Sequence, residues 1–201
     1  MHPHVYREFE RICRERGAGG AVLEVGAVPS RESLLCLPAL EGARERVGLS
    51  LDGPSRFAGF EILRGNANAM DALESGRFDA VLCNSVLEHD PFFWRTLAEM
   101  RRVARPGALI AIGVPGYARN PPRRLIERLR PLRRLPLVGA WVEARLASTP
   151  TLVVHDFPGD YYRFSAQAMR EVFLEGLEEV EVREVMRPPR VIGAGRKPLT
   201  P

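Results

Sequence analysis

The sequence predicts an α/β fold, a mostly parallel sheet of about seven strands covered by helices on both faces. Three observations carry this. Short, nearly continuous apolar runs, above all residues 21–25 and 78–84, read as strands buried on both sides, and segments of helical period separate such runs. The last two strand-like runs, 179–185 and 190–195, follow one another without a helix, so they form an antiparallel hairpin at one edge. The chain has 201 residues, which suits a single domain over 1–201 with room for one appended lobe.

Each element has its own warrant. Val5, Phe9, Ile12 and Cys13 stand at helical spacing until Gly17, Gly19 and Gly20 stop the pattern, so residues 1–19 hold a leading helix. After the strand at 21–25, residues 31–40 carry Leu34, Leu35 and Leu37 and suggest a helix that Pro38 shortens. Residues 46–51 and 59–63 read as the second and third strands, with Asp52-Gly53-Pro54 as a turn between them. The fourth strand is 78–84. Pro91 opens a helix to about Val103, whose buried stripe is Phe93, Leu97, Met100 and Val103 or Ala104. Arg105-Pro106-Gly107 ends that helix and residues 108–114 supply a fifth strand. Ser165 caps a helix from Ala166 to about Leu174, and Pro188-Pro189 turns the final hairpin.

Residues 116–164 interrupt this alternation as an insertion after the fifth strand. Between 119 and 146 stand eight arginines and only two glutamates, Glu127 and Glu143, a local charge of +6 against +4 for the whole chain. Leu, Ile, Val and Trp141 are interleaved with the arginines, which makes amphipathic helical pieces broken at Pro131 and Pro136. Two readings stand side by side: a lid over the substrate with its arginines in water, or a peripheral membrane contact through 119–146. Nucleic acid is not favoured, because no stacking platform or recognised binding module accompanies the charge. Cys13, Cys36 and Cys83 lack metal-ligand or redox spacing, so no metal site is expected. The odd cysteine count, together with the absence of a signal-like or membrane-spanning apolar run, points to a cytoplasmic location.

The stretch Val22-Leu23-Glu24-Val25-Gly26 is a buried strand with an acid inside it and a glycine at its end, the place where an α/β sheet binds a ligand. Later come Val47 to Asp52, Gly65-Asn66-Ala67, Phe78-Asp79-Ala80-Val81 through Val86-Leu87-Glu88-His89, and the junction Ala98 to Ala108. In order and spacing these resemble the class I S-adenosylmethionine-dependent methyltransferases, in particular the type-11 methyltransferase-domain group. The resemblance covers residues 20 to 115 and, in outline, 160 to 198. It implies a Rossmann-like, doubly wound sheet and S-adenosyl-L-methionine as cofactor. It assigns Glu24, Gly26 and Ala27 to the cofactor's amino-acid end, and Ser50, Leu51 or Asp52 to its ribose. Asn66 and Ala67 fall beside the adenine, and Asn84, Ser85 and Val86 line the methionyl wall.

The sequence departs from that pattern in three places. Ser50 stands where the family has an acid, with Asp52 two positions later, and Asn66 replaces an aspartate. Val28 and Pro29 stand where further glycines would allow close backbone approach, and Pro29 has no N–H to donate. His89, at the mouth of the sheet, and His155, in the aromatic stretch 155–165, are the candidate catalytic bases; each has an alternative as a packing or capping residue. The expected activity is methyl transfer to an unidentified small-molecule acceptor, a hydrophobic one being among the readings of the insertion. The alternative is a methyltransferase-fold module without turnover that uses its arginine-rich segment for a membrane surface or a partner. Acceptor and oligomeric state are not legible.

Overall fold

In the computed structural model, residues 1–117, 159–187 and 189–199 are described. They form one eight-stranded sheet with the order β3-β4-β2-β1-β5-β6-β8-β7. The strands are β1 (Ala21–Val25), β2 (Glu45–Ser50), β3 (Ser55–Phe57), β4 (Phe60–Arg64), β5 (Phe78–Asn84), β6 (Ala104–Pro115), β7 (Glu178–Val185) and β8 (Arg190–Arg196). Strands β4, β2, β1, β5 and β6 run parallel, while β8 is antiparallel to both β6 and β7. The expected parallel sheet with a terminal antiparallel hairpin is therefore present. One strand is additional: β3 folds back on β4 as an edge hairpin, just after the turn expected at Asp52-Gly53-Pro54.

Alternation along the strands divides the core between two faces. Leu23, Val25, Val81, Cys83, Ile110 and Ile112 face α2 (Phe93–Val103), whose Leu97, Met100 and Val103 are buried. Val22, Ala80, Leu82, Leu109 and Ala111 face α1 (Pro3–Glu15), which buries Val5, Phe9, Ile12 and Cys13 as its spacing predicts. Helix α1 is also fastened to the far hairpin. Arg11 reaches Glu181 of β7 at 2.8 Å, Arg16 reaches Glu179 at 2.9 Å, and Arg196 of β8 donates to the Arg16 carbonyl.

Four boundaries differ from the sequence expectation. The helix expected at 31–40 is replaced by two 3-10 turns, Leu34–Cys36 and Pro38–Leu40. Pro38 breaks the helical ladder, and Glu24 draws the first turn inward. Helix α2 begins at Phe93 rather than Pro91, because the Asp90 carboxylate takes the Phe92 N–H in a turn ahead of it. Arg105-Pro106-Gly107 does not separate helix from strand; it forms an irregularity inside β6, which already pairs with β5 at Ala104. The Ser165 cap is present, its Oγ accepting from Ala168 N at 3.0 Å, but the helix it opens is α3 (Ala166–Ala168), which widens into a π-helix over Met169–Phe173. The expected helices of 119–146 and the candidate base His155 lie outside the described residues.

Candidate functional site

From β1 the chain moves to β2 and β4 on one side, and from β5 to β6 on the other. The order reverses between β1 and β5, so the carboxyl ends of these two strands flank the crevice where ligands of such sheets bind. The sequence places Gly26 at one lip and Asn84-Ser85-Val86 at the other. Gly26 has φ +81, and a Cβ there would meet Val86 Cγ2 at 2.2 Å, so only glycine lets the two lips approach.

The loop after β1 is closed upon the protein itself. Gly26 and Ala27 donate to the Leu49 carbonyl at 2.8 and 3.1 Å, extending the ladder to β2. Glu24 is buried among the core residues facing α1. It takes the Ser33 hydroxyl, the Leu34 N–H at 3.0 Å and the Leu35 N–H at 3.4 Å. Burial pushes its pKa up, opposed by these three donors. An internal carboxylate thus holds the head of the first 3-10 turn.

The next strand ends are more open. Leu51 and Asp52 are exposed beyond β2, and Ser50 Oγ accepts the Asp52 N–H at 3.4 Å. The Asn66 side chain closes a turn by accepting the Asn68 N–H at 2.9 Å, while half-buried Ala67 packs on the core. Asn68 then bridges to the opposite lip, donating to Asp90 at 2.7 Å and to Thr96 at 2.8 Å.

At the tip of β5 the pattern is reversed. Asn84 Oδ1 is buried without a donor, and Ser85 adopts φ +57, an uncommon conformation for a residue with a side chain. Ser85 Oγ accepts from Arg190 at 3.1 Å, and the same guanidinium lies 3.5 Å from Glu88 Oε1. Glu88 has no solvent exposure and its Oε2 has no hydrogen-bond partner. Burial raises its pKa to about 7, with Arg190 and Arg163 opposing the rise and Asp160 adding to it. Arg163 and Asp160 pair at 2.6 Å just behind it. The Glu88 carbonyl accepts the Tyr161 and Tyr162 N–H groups at 2.8 and 3.2 Å, tying the 159–165 strap to this lip. His89, half-buried, sets Nδ1 3.2 Å from the Gly159 carbonyl, so the strap engages this candidate base too.

The sequence reading weighted His89 and passed over its neighbour. Glu88 directly follows the apolar pair Val86-Leu87, just beyond the end of β5, and an acid at that position was a usable signal. Arg190 gave none, being 102 residues away until β8 brings it beside Pro115 at the tip of β6.

Residues 35–112 match the family model described as a methyltransferase domain. The 1,6-didemethyltoxoflavin-N1-methyltransferase of Burkholderia thailandensis, solved with 1,6-didemethyltoxoflavin and S-adenosylhomocysteine, is similar with a TM-score of 0.62 and 19% identity. That likeness spans 96% of this chain and 78% of that one. The chain has the class I S-adenosylmethionine-dependent methyltransferase fold. The N-methyltransferase NodS of Bradyrhizobium japonicum, in complex with S-adenosyl-L-homocysteine, has this methyltransferase fold in common with it at a TM-score of 0.61 and 14% identity, over 96% and 86% of the two chains. A putative methyltransferase of Bacillus halodurans reaches 0.60 at 13% identity over 96% and 98%. No curated protein matches the chain in sequence. The family match begins at Leu35, beyond the loop after β1, so the methyltransferase resemblance at that loop rests on position in the fold.

Proposed function

We propose that this protein is an S-adenosylmethionine-dependent methyltransferase acting on a small-molecule acceptor. The observation that carries the reading is the crevice at the reversal of strand order, where Gly26 admits Val86 and the β5 tip keeps buried acceptors without donors. The match over residues 35–112 and the S-adenosylhomocysteine bound in two similar structures support it.

The residues present fit the cofactor unevenly. Asp52 offers an exposed carboxylate for a ribose diol, and Asn66 and Ala67 form the adenine-side turn. Asn84 Oδ1 is an unpaired acceptor on the methionyl side, with Ser85 and Val86 beside it. The loop after β1 contributes shape more than donors, because the N–H groups of Gly26 and Ala27 are already engaged. The bound cofactor supplies the electrophile, a methyl group on a sulfonium. The protein's part is to align an acceptor lone pair with that methyl, to exclude water, and to hold the acceptor's proton where one must leave. Glu88 suits the last task, since its carboxyl exchanges a proton near neutrality.

A second reading, a methyltransferase-fold binding module without turnover, draws on one observation: Glu24, Gly26 and Ala27 are all committed to the fold itself. Calorimetric titration separates the two. Binding of S-adenosylmethionine and S-adenosylhomocysteine at micromolar concentrations is the expected result; no heat from either at millimolar concentration overturns the enzyme reading and leaves the module.

A further inference from the structure

Helix α2 starts with three aromatics, and only the middle one belongs to the core. Phe93 turns inward, its ring 5.2 Å from Tyr162, 5.2 Å from Phe164 and 5.5 Å from Phe173. Phe92 and Trp94 turn outward, 46% and 52% exposed, edge to face at 5.8 Å. Neither lies on the buried stripe of Thr96, Leu97, Met100 and Val103, so packing gives no reason for them. From Trp94 the rings continue through Phe93 and Tyr162 to Tyr161, which is 57% exposed. The Tyr162 hydroxyl fixes this run by donating to the Pro91 carbonyl at 3.1 Å. Arg95 sets a cation 5.1 Å over the Phe92 ring.

This rim stands beside the crevice mouth, on the lip that Glu88 and the strap form. The described residues run to Tyr117 and resume at Gly159, whose carbonyl lies against His89. Between these points the sequence carries its +6 run over 119–146, while the rest of the chain is net −2. An aromatic rim alone would suit many partners. Exposed Phe, Trp and Tyr, and an arginine excess in the stretch of sequence that joins Tyr117 to Gly159, are the two signals that together hold a protein at an anionic lipid surface: rings at headgroup depth and cations in the surface potential.

We propose that Phe92, Trp94 and Tyr161 form a lipid-interface contact that seats the crevice mouth on an anionic bilayer, so that an acceptor reaches the site from the interface. The acceptor's route rests on the methyl-transfer reading; the contact itself needs no turnover, so loss of either one leaves the other measurable.

The test uses tryptophan position. The chain has two tryptophans, so Trp141→Phe leaves Trp94 as the sole reporter. Vesicles of phosphatidylcholine with phosphatidylglycerol, carrying brominated acyl chains, are expected to shift Trp94 emission to the blue and quench it; pure phosphatidylcholine vesicles are expected to do neither. Phe92→Ser with Tyr161→Ser, both exposed and outside the core, is expected to weaken co-sedimentation of the otherwise unaltered chain about ten-fold with its circular dichroism unchanged. Sedimentation with no quenching of Trp94 would show that arginines alone make the contact and would overturn the proposal. Equal sedimentation of the double variant, or no sedimentation of the parent chain with anionic vesicles, would overturn it as well.

Discussion

Two buried glutamates stand at the tips of neighbouring parallel strands, and they are in opposite states. Glu24 has three donors on its two oxygens and lies inside the fold facing α1. Glu88 has one oxygen near Arg190 at 3.5 Å and the other with no partner. Burial raises the pKa of both. The difference is in what opposes it: three donors from the fold in one case, its own backbone N–H together with Arg190 and Arg163 in the other. A buried acid that is fully bonded is a structural tie. One that is half bonded retains capacity for a proton or a ligand, and here it lies on the lip that also carries the strap.

Removing the tie should have the largest effect. Glu24→Ala leaves the Ser33 hydroxyl and the Leu34 and Leu35 N–H groups unpaired in the core and is expected to cost about 3–5 kcal/mol in urea unfolding. A loss below about 1 kcal/mol would mean that Glu24 is not the organiser of the first turn.

The second prediction sharpens the other half. Glu88 in the folded protein titrates near 7, above its ordinary value of 4.5, so the folded state binds the proton more tightly than the unfolded chain does. Its contribution to stability is full below pH 4.5 and is lost as pH rises through 7, about 3 kcal/mol in all. Melting followed across this window should show that decline in the parent chain and a flatter profile in Glu88→Gln. An unchanged profile would mean that the Glu88 carboxyl is not the group behind the decline.

The smallest effect concerns Arg190. Arg190→Gln removes the cation that holds Glu88 down, so the carboxyl carbon resonance of Glu88 should titrate at higher pH, with a stability change of about 1 kcal/mol or less. A midpoint that does not move would assign the restraint to the backbone N–H of Glu88 and to Arg163.

Most of the sheet was legible because its signals are local. Runs such as Phe78–Asn84 are apolar enough to be buried on both faces, and the absence of a helix between β7 and β8 required an antiparallel pair. The failures came where a distant partner overrode local pattern. Leucines at 34, 35 and 37 suggest a helix, but Pro38 turns Leu37 extended, and Glu24, ten residues earlier, caps only the short turn ahead of it. Residues 55–57 become a strand only because β4 offers an edge. At the site, positions such as Gly26 and Asn84 follow from the strand ends, whereas the state of Glu88 depends on Arg190 and the strap and has no signature in neighbouring residues.

The fastening of α1 to β7 and β8 has a consequence for synthesis. Arg11 and Arg16 emerge from the ribosome long before Glu179, Glu181 and Arg196, which complete their contacts. During elongation the apolar stripe of α1 can dock on β1 and β5, but its charged edge waits for the final hairpin. The nascent chain therefore carries an unfinished seam between an early element and a much later one, which closes only when β8 slides in beside β6.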